Sequence, residues 1–155
     1  MVPSTRKSGF SLIELVTVVA VVGILAAVAI PSFRDIVNNQ RIKNASFELF
    51  SSLMMARSEA VKRNSNVTIT AATGGWEEGW QITAADNTVL KTHSELNNII
   101  VSGAPTSLIF RRTGRLTATT KPSFQFDVDP ENEDFVRCIS IELSGLPKTS
   151  KGECS

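Results

Sequence analysis

The sequence predicts an α+β protein in which one long N-terminal helix packs on a small antiparallel β-sheet head. An unbroken apolar run extends from Phe10 to Ile30, and helical amphipathic periodicity follows from Ser32 to Asn64. Short alternating segments separated by turn residues fill the remaining residues, 65–155. With 155 residues, 42% of them hydrophobic, the chain suffices for one anchor and one modest domain. Its net charge of +1 gives no basis for bulk affinity to nucleic acid.

The apolar run has the length and flanks of a membrane span. As a helix it is about 32 Å long, enough to cross a hydrocarbon core. Arg6 and Lys7 precede it and mark that end as cytoplasmic. Glu14 is the one carboxylate inside the run, where a charge costs about 3 kcal/mol and is usually functional. A secretory signal would be cleaved after the apolar run, whereas the only apparent processing signal, ending at Gly9, lies before it.

This segment resembles the N-terminus of type IV pilins and type II secretion pseudopilins, which carry a class III prepilin signal. The matching residues are Gly9, Phe10, Ser11, Leu12, Ile13, Glu14 and Leu15, followed by Gly23 and Pro31. The resemblance implies that a prepilin peptidase removes residues 1–9 by cleaving after Gly9 and that the new amine on Phe10 is methylated. An ordinary signal-anchored membrane protein is the alternative, and it explains neither the Gly9–Phe10 junction nor the position of Glu14.

Glu14 is the predicted assembly residue. Cleavage after Gly9 creates an α-amino group, which is largely cationic at neutral pH. A buried charge is tolerated when it is paired, so Glu14 of one subunit is expected to meet the amine of a neighbouring Phe10 in a bundle of helices. The helix of residues 10–31 then has two apolar environments, the inner-membrane lipid and the core of a filament.

Residues 32–64 are predicted to continue as an amphipathic helix into the head. Glu59 and Arg63 are spaced as an i,i+4 ion pair. The apolar stripe could cover the protein's own sheet or form a groove for a partner, and the first interpretation is favoured. The stripe consists of Phe33, Ile36, Val37, Phe47, Phe50, Leu53, Met54 and Val61.

Beyond Asn64 the pattern changes to short strands. Gly74 and Gly75 mark a turn, and no internal repeat is evident. The predicted strands are Asn66–Thr70, Trp80–Thr83, Val89–Lys91, Ile99–Val101, Leu108–Phe110, Leu116–Ala118, Ser123–Phe126 and Cys138–Leu143.

The head carries a second resemblance, to the minor pilin and pseudopilin family that includes FimT, FimU and GspH. Four features carry this resemblance. The segment Ala56–Asn64 precedes a Val-Thr-Ile strand, and a W-x-x-G-W pattern follows at Trp76, Gly79 and Trp80. The other two features are Phe110 with Gly114, and Ser144 with Gly145 near the C-terminus. The resemblance implies a type IV pilin-like fold and a low-abundance structural subunit that promotes pilus assembly or initiation near the tip, with a link to twitching motility. The implied partners are the major pilin and other minor pilins. A GspH-like pseudopilin of type II secretion is the alternative.

The two cysteines, Cys138 and Cys154, lie close to the C-terminus. With a cytoplasmic N-terminus and one span, everything after Pro31 faces the oxidising periplasm, so a disulfide is predicted. A loop of about 15 residues closed in this way contributes about 3 kcal/mol. Two unpaired buried thiols are the alternative. A metal site is not expected, because two cysteines and the distant His93 do not form a ligand set.

Binding of double-stranded DNA is a further alternative. Some FimT members bind DNA through a C-terminal Gly-Arg-x-Arg motif, and the matching positions here hold Gly145, Leu146, Pro147 and Lys148. Leu146 replaces the first arginine of the motif, and a leucine side chain cannot contact phosphate. Lys148 replaces the second, and lysine offers a point charge instead of the bidentate guanidinium of arginine. Lys148, Lys151 and Arg137 are the candidate backbone contacts, although a solvated C-terminal loop is the favoured interpretation. Arg111, Arg112 and Arg115 could extend a basic patch, but they more simply decorate a hairpin.

Nothing in the chain predicts an enzyme or a cofactor. There is no Gly-x-Ser-x-Gly elbow, phosphate loop or zinc pair, and Asp35 and Glu142 have no evident acid/base partner. The polar neighbours of His93 favour a surface residue. The acidic stretch Asp127–Asp134 lacks the glycine and the distal acid of a calcium loop, so a solvated loop is expected.

Overall fold

The computed structural model describes residues 11–128 and 135–154, except for the side chains of Val28 and Pro31. Its first element is a single long helix, α1, and antiparallel strands follow, as predicted. The elements are α1 (Leu12–Lys62), β1 (Val67–Ala72), β2 (Gly75–Ala84), β3 (Val89–His93), β4 (Ile99–Ser102), β5 (Ser107–Phe110), β6 (Ser123–Val128), β7 (Arg137–Ile141) and β8 (Pro147–Lys151). The predicted α+β class is confirmed.

The chain divides into two compact units, Met1–Val37 and Asn38–Ser155. In the first unit the described residues from Leu12 onward are helical, and their large apolar side chains are exposed: Leu12 is 81% and Ile24 68% accessible. By length and composition α1 could cross a membrane. An apolar surface of this kind needs lipid or protein to cover it.

The second unit, the head, holds two four-stranded antiparallel sheets. The strand orders are β3-β2-β1-β5 in sheet A and β4-β6-β7-β8 in sheet B. The expected single sheet is therefore two sheets. Two strand assignments also differ: Leu116 contributes only an isolated bridge to Phe110, and β8 occupies residues that were expected to form a loop.

The helix face in the head core differs from the predicted aromatic stripe. The residues of α1 in the core recur every three or four positions, and half of them are alanines: Ile42, Ala45, Leu49, Leu53, Ala56 and Ala60. The aromatic bulk comes from the sheets, chiefly Trp80, Phe110, Phe124 and Phe126. Of the predicted stripe, Phe33, Ile36, Phe47, Met54 and Val61 are exposed and Leu53 is fully buried. The prediction was wrong because alanines contribute little to a hydrophobic pattern, although they let a helix pack closely on aromatic side chains.

The core of the head is complete within the second unit. Its buried apolar cluster extends from Ile42 to Ile141, and no side chain that the structure describes between residues 11 and 37 belongs to it. The predicted Glu59–Arg63 ion pair is present, with Nε and Oε2 2.7 Å apart. A fragment of residues 38–155 retains the whole cluster and is expected to fold on its own.

Candidate functional site

Glu14 lies in the first turn of α1, where its side chain is exposed. The backbone N–H of Ser11 donates to Glu14 Oε2 over 3.2 Å, which is half of a capping box. A carboxylate at this end of a helix is also favoured by the helix dipole. Gly9 and Phe10, the predicted cleavage and methylation residues, lie outside the described residues, so the pairing of Glu14 with the Phe10 amine stays a prediction.

Cys138 and Cys154 form a disulfide, with Cα atoms 5.1 Å apart. Cys138 is buried on β7, and Cys154 follows β8. The N–H of Cys154 also donates to Gln125 Oε1 over 3.4 Å. The bond joins the last described residues to the middle of sheet B, which fixes the edge strand β8.

The three basic residues singled out as DNA contacts do not share one face. Arg137 is directly opposite Lys151 in the β7–β8 pair, whereas Lys148 is opposite Ser140. Because successive side chains of a strand alternate between faces, Lys148 lies on the other face of the hairpin from Arg137 and Lys151. The structure therefore brings together two of the three.

Lys148 is also partly neutralised by Glu142. The Glu142 carboxylate lies 2.9 Å from Lys121 Nζ and 3.4 Å from Lys148 Nζ. Hydrogen bonds from Lys121 and then from Lys148 lower the pKa of Glu142 below its ordinary value. A lysine held by a carboxylate is a weaker phosphate contact than a free one, which further separates Lys148 from the other two cations.

Gly114 and Gly145, two glycines of the family pattern, both lie against the side chain of Arg57. Arg57 Nε donates to the carbonyl oxygen of Gly114 over 3.1 Å. Gly145 is buried with φ of +84°, and a Cβ there would collide with that same carbonyl oxygen. Two hairpin turns from different sheets thus join on the helix. The sequence marks these glycines only through the family pattern, because nothing local predicts that they touch.

The turn that contains Gly114 carries three arginines, Arg111, Arg112 and Arg115. Arg111 N–H donates to the Arg115 carbonyl over 2.8 Å, and Gly114 N–H donates to the Arg111 carbonyl over 2.7 Å. All three arginine side chains are exposed. This agrees with the hairpin interpretation.

His93 is not the simple surface residue that its polar neighbours predict. Its ring stacks on Trp80 with centroids 4.0 Å apart, and its side chain is only 19% exposed. Nε2 lies 3.2 Å from Glu48 Oε2 on α1. Gly79 permits this approach, because a Cβ there would collide with the His93 carbonyl oxygen. The Trp76–Gly79–Trp80 pattern is thus a packing device, in which the glycine makes room for β3.

Within residues 11–128 and 135–154 no group of three or more His, Cys, Asp and Glu side chains could hold a metal ion. Of the acidic stretch Asp127–Asp134, Asp127 and Val128 are described, and residues 129–134 lie outside the described part of the chain. The Asp127 carboxylate accepts the Val128 N–H over 2.7 Å.

Comparison with known proteins gives two family matches, and they agree with the two resemblances found in the sequence. Residues 45–145 match the family model of the type II transport protein GspH, and residues 4–30 match that of the prokaryotic N-terminal methylation motif. The chain belongs to the GspH family. The first match covers most of the head, including the Arg57–Gly114–Gly145 junction, and the second covers the segment that contains Gly9, Phe10 and Glu14.

The GspH-family chain is also similar to curated pilins over shorter stretches. It is 44% identical over 43 residues to the type IV major alpha-pilin of Moraxella bovis. It is 38% identical over 65 residues to a fimbrial protein of Pseudomonas aeruginosa and 48% identical over 42 residues to the major pilin PilE1 of Neisseria gonorrhoeae. These stretches cover 28%, 42% and 27% of this chain and 27%, 42% and 26% of the three relatives, so the chain spans less than half of each.

Among solved structures, the fold is similar to that of the type IV minor pilin FimU of Pseudomonas aeruginosa. One crystal form matches with a TM-score of 0.64 at 25% identity, covering 72% of this chain and 89% of the FimU chain in that crystal. A second matches with a TM-score of 0.60 at 26% identity, covering 70% and 91%. This GspH-family chain therefore has a pilin fold, an N-terminal methylation motif and an apolar helix suited to membrane anchoring.

Proposed function

We propose that this GspH-family chain is a minor type IV pilin, a structural subunit that promotes assembly or initiation of a pilus near its tip. The observation that carries the proposal is the match to the crystal structure of the minor pilin FimU, because it covers 89% of the crystallised chain. The N-terminal methylation motif supports the same role at the other end of the chain.

In this proposal a prepilin peptidase cleaves after Gly9 and methylates the Phe10 amine. Residues 10–31 anchor the chain in the inner membrane, with the head in the periplasm. Assembly then moves the helix from lipid into the filament core, where Glu14 pairs with the Phe10 amine of a neighbouring pilin. The exposed apolar side chains of the first unit support this, because either environment covers them.

Two substitutions separate processing from assembly. Gly9→Val should leave an unprocessed chain that does not enter pili. Glu14→Gln keeps the shape and removes the charge, so the chain should be cleaved normally and yet be lost from sheared pili. Glu153→Gln, which neutralises an exposed carboxylate of the head, is the matched control and should assemble normally. Normal processing and assembly of both test variants would contradict the proposal.

A GspH-like pseudopilin of type II secretion is the second candidate. The observation that favours it is the match of residues 45–145 to the family model named for the transport protein. Deletion of the gene distinguishes the two functions: loss of surface pili with intact protein secretion supports the minor pilin, and the reverse result supports the pseudopilin. Neighbouring pilus or secretion genes give the same discrimination.

DNA binding during natural transformation has weaker support. Arg137 and Lys151 lie together, but Lys148 is on the opposite face and is held by Glu142. If this function is correct, residues 38–155 shift the mobility of double-stranded DNA at low salt, with a steep salt dependence. Lys148→Ala combined with Lys151→Ala then abolishes the shift.

A further inference from the structure

A small cleft lies in the head between α1 and the β7–β8 hairpin. Its volume is about 200 Å³, below the range of about 300–1,000 Å³ that is typical of small-molecule pockets. The side chains that line this α1–hairpin cleft are basic, aromatic or hydroxyl-bearing: Lys43, Ser46, Phe47, Phe50, Arg137 and Thr149. A cleft of this size suits one or two side chains of another protein better than a whole small-molecule ligand.

The hairpin side of the cleft holds two like charges close together. Arg137 is half-buried on β7 and lies directly opposite Lys151 on β8. The neighbouring pair is hydrogen-bonded, because the Gly152 N–H donates to the Val136 carbonyl over 2.9 Å. Arg137 and Lys151 therefore form a non-hydrogen-bonded pair, in which opposed side chains approach more closely. Like charges in such positions destabilise a sheet.

The helix side of the cleft adds a third cation, Lys43. Within residues 11–128 and 135–154, neither Lys43 nor Arg137 nor Lys151 forms an ion pair with a carboxylate. A partly buried charge is stabilised when it is paired. A carboxylate held between Lys43 and Arg137 would therefore relieve the repulsion and supply the missing partner.

The aromatic side of the cleft is uncovered. Phe47 is 69% exposed, although it is one of the largest apolar side chains of the head. Phe50 lies three residues further on and is half-buried. Because residues three apart lie on the same side of a helix, the two rings form one apolar ridge. Lys43, four residues before Phe47, lies on that same side and brings a cation next to the ridge.

We propose that the α1–hairpin cleft binds a different pilin subunit, through a segment of that subunit that carries a carboxylate beside an apolar side chain. The carboxylate lies between Lys43 and Arg137, and the apolar side chain covers Phe47. This inference rests on the proposed function, because a low-abundance subunit near the tip has other pilins as its neighbours. It adds to that function the surface of this chain that meets one of them and the chemistry of the contact.

A nucleic acid is the other polyanion that could meet these cations, and the distribution of charge disfavours it. A strand of nucleic acid is bound along a basic groove that follows its backbone. The next basic cluster of the head is the arginine turn around Gly114, which Arg57 contacts, about 21 Å further along α1 than Lys43. Between Lys43 and Arg57 the same side of α1 carries the exposed apolar side chains of Phe47 and Met54. The cations thus gather at one point, as a single carboxylate requires.

The stability of the head tests the charge requirement without a partner. Arg137→Gln and Lys151→Gln should each raise the melting temperature of residues 38–155 at low salt, and the gain should shrink at high salt because salt screens the repulsion. Arg41→Gln removes an exposed cation outside the cleft and is the matched control, which should show no such gain. A salt-sensitive loss of stability in Arg137→Gln would mean that Arg137 already has an anionic partner within the chain, and the proposal would be wrong.

Photo-cross-linking of the full-length chain in its own host tests the partner. With the photoreactive amino acid p-benzoylphenylalanine in place of Phe47, the chain should cross-link to another pilin, and mass spectrometry should locate the adduct within a few residues of a carboxylate. The same replacement at Val89, an exposed apolar position on β3, is the matched control and should not give that product. Absence of the product, a product of two copies of this chain, an adduct to residues 129–134 of the same chain, or a partner segment without a carboxylate would each overturn the proposal.

Charge reversal tests the ionic part of the contact. Arg137→Glu should lower the cross-linked fraction about tenfold, and replacing the carboxylate located on the partner by arginine should restore it. Arg137→Glu also places a carboxylate opposite Lys151, so the head should remain folded. Arg112→Glu makes the same charge change on the arginine turn and should have no effect on the cross-link. Failure of the partner's arginine to restore the yield would contradict the ion pair at the cleft and so the proposal.

Two other outcomes have separate meanings. If a labelled oligonucleotide binds the full-length chain, and both Phe47→Ala and Arg137→Glu abolish that binding while the cross-link to a pilin is absent, the cleft is a nucleic-acid site and the proposal is wrong. N-terminal cleavage is read on the same gel as the cross-link. Cleaved chains without the cross-link contradict the docking alone, whereas uncleaved chains contradict the proposed function.

Discussion

At the scale of single residues, Gly145 has the least room for a side chain among the glycines that the structure describes. A Cβ there would meet the Gly114 carbonyl oxygen that Arg57 binds, and φ is +84°. Gly145→Ala should therefore destabilise the head by about 3 kcal/mol, combining left-handed strain with a collision. Gly152→Ala is the control, because φ is +90° but no atom lies within 4 Å of the new Cβ.

Denaturant unfolding of residues 38–155 measures both variants. The control should lose only about 1 kcal/mol, the cost of strain alone. Equal losses for the two substitutions would show that the Gly114 contact does not constrain Gly145.

Ser52 is a buried residue whose hydroxyl has no hydrogen-bond partner among the described residues. An unsatisfied buried hydroxyl costs about 1 kcal/mol, and alanine also has a helix propensity better by about 0.5 kcal/mol. Ser52→Ala should therefore stabilise the head. Ser51→Ala, at the exposed neighbouring position, should give the propensity gain alone. Thermal unfolding measures both variants. A lower melting temperature for Ser52→Ala than for Ser51→Ala would contradict the conclusion that the Ser52 hydroxyl is buried without a hydrogen-bond partner.

At the scale of elements, the disulfide fixes β8 at the edge of sheet B. Replacing both cysteines by alanine should cost about 3 kcal/mol, because the closed loop restricts the unfolded chain. Denaturant unfolding of the head with and without the bond measures the loss. The wild-type head in the presence of a reductant should show a similar loss, which controls for the substitutions. Unchanged stability in both cases would mean that the bond does not constrain the unfolded chain.

The Lys121–Glu142–Lys148 cluster joins β8 to the segments around it and should make stability depend on pH. Glu142 has a lowered pKa in the folded head, caused by hydrogen bonds from Lys121 and then Lys148. Its contribution is therefore complete above its ordinary pKa near 4.5 and is lost as pH falls through the lower folded value. Wild type and Glu142→Gln should differ most at neutral pH and converge in acid. Salt should shrink the difference, because the cluster is exposed. A difference that is constant from neutral to acid pH would contradict the ionic assignment.

The sequence predicted most elements of the fold, for identifiable physical reasons. Period-two alternation located β1, β6 and β7, and apolar length located the first half of α1. The aromatic stripe misled because burial depends on which face meets the sheets, and Ala45, Ala56 and Ala60 contribute too little hydrophobicity to reveal that face. β8 was missed because four of its five residues are exposed and polar, so its pairing with β7 leaves no local pattern.

The candidate sites were predictable where they depend on spacing along the chain and unpredictable where they depend on folding. Gly9, Phe10 and Glu14 form a local motif, which the sequence displays directly. The hydrogen bond from Arg57 to the Gly114 carbonyl joins residues 57 positions apart, and only the packing of that turn against α1 shows it.

At the scale of the whole molecule, the chain combines an exposed apolar helix with a head that holds its own core. Residues 38–155 should therefore unfold as one cooperative transition, while the full chain should require detergent or lipid. Calorimetry of the fragment checks the first expectation. A fragment that lacks a cooperative transition would show that residues 1–37 are needed for the head to fold.

The central claim is that this chain is processed and assembled as a pilin, and the mass of the mature chain tests it most directly. Intact-mass measurement of the protein purified from membranes should give a chain that begins at Phe10 and carries one additional methyl group, with the disulfide intact. A chain that still begins at Met1, or one cut after the apolar run, would contradict the account.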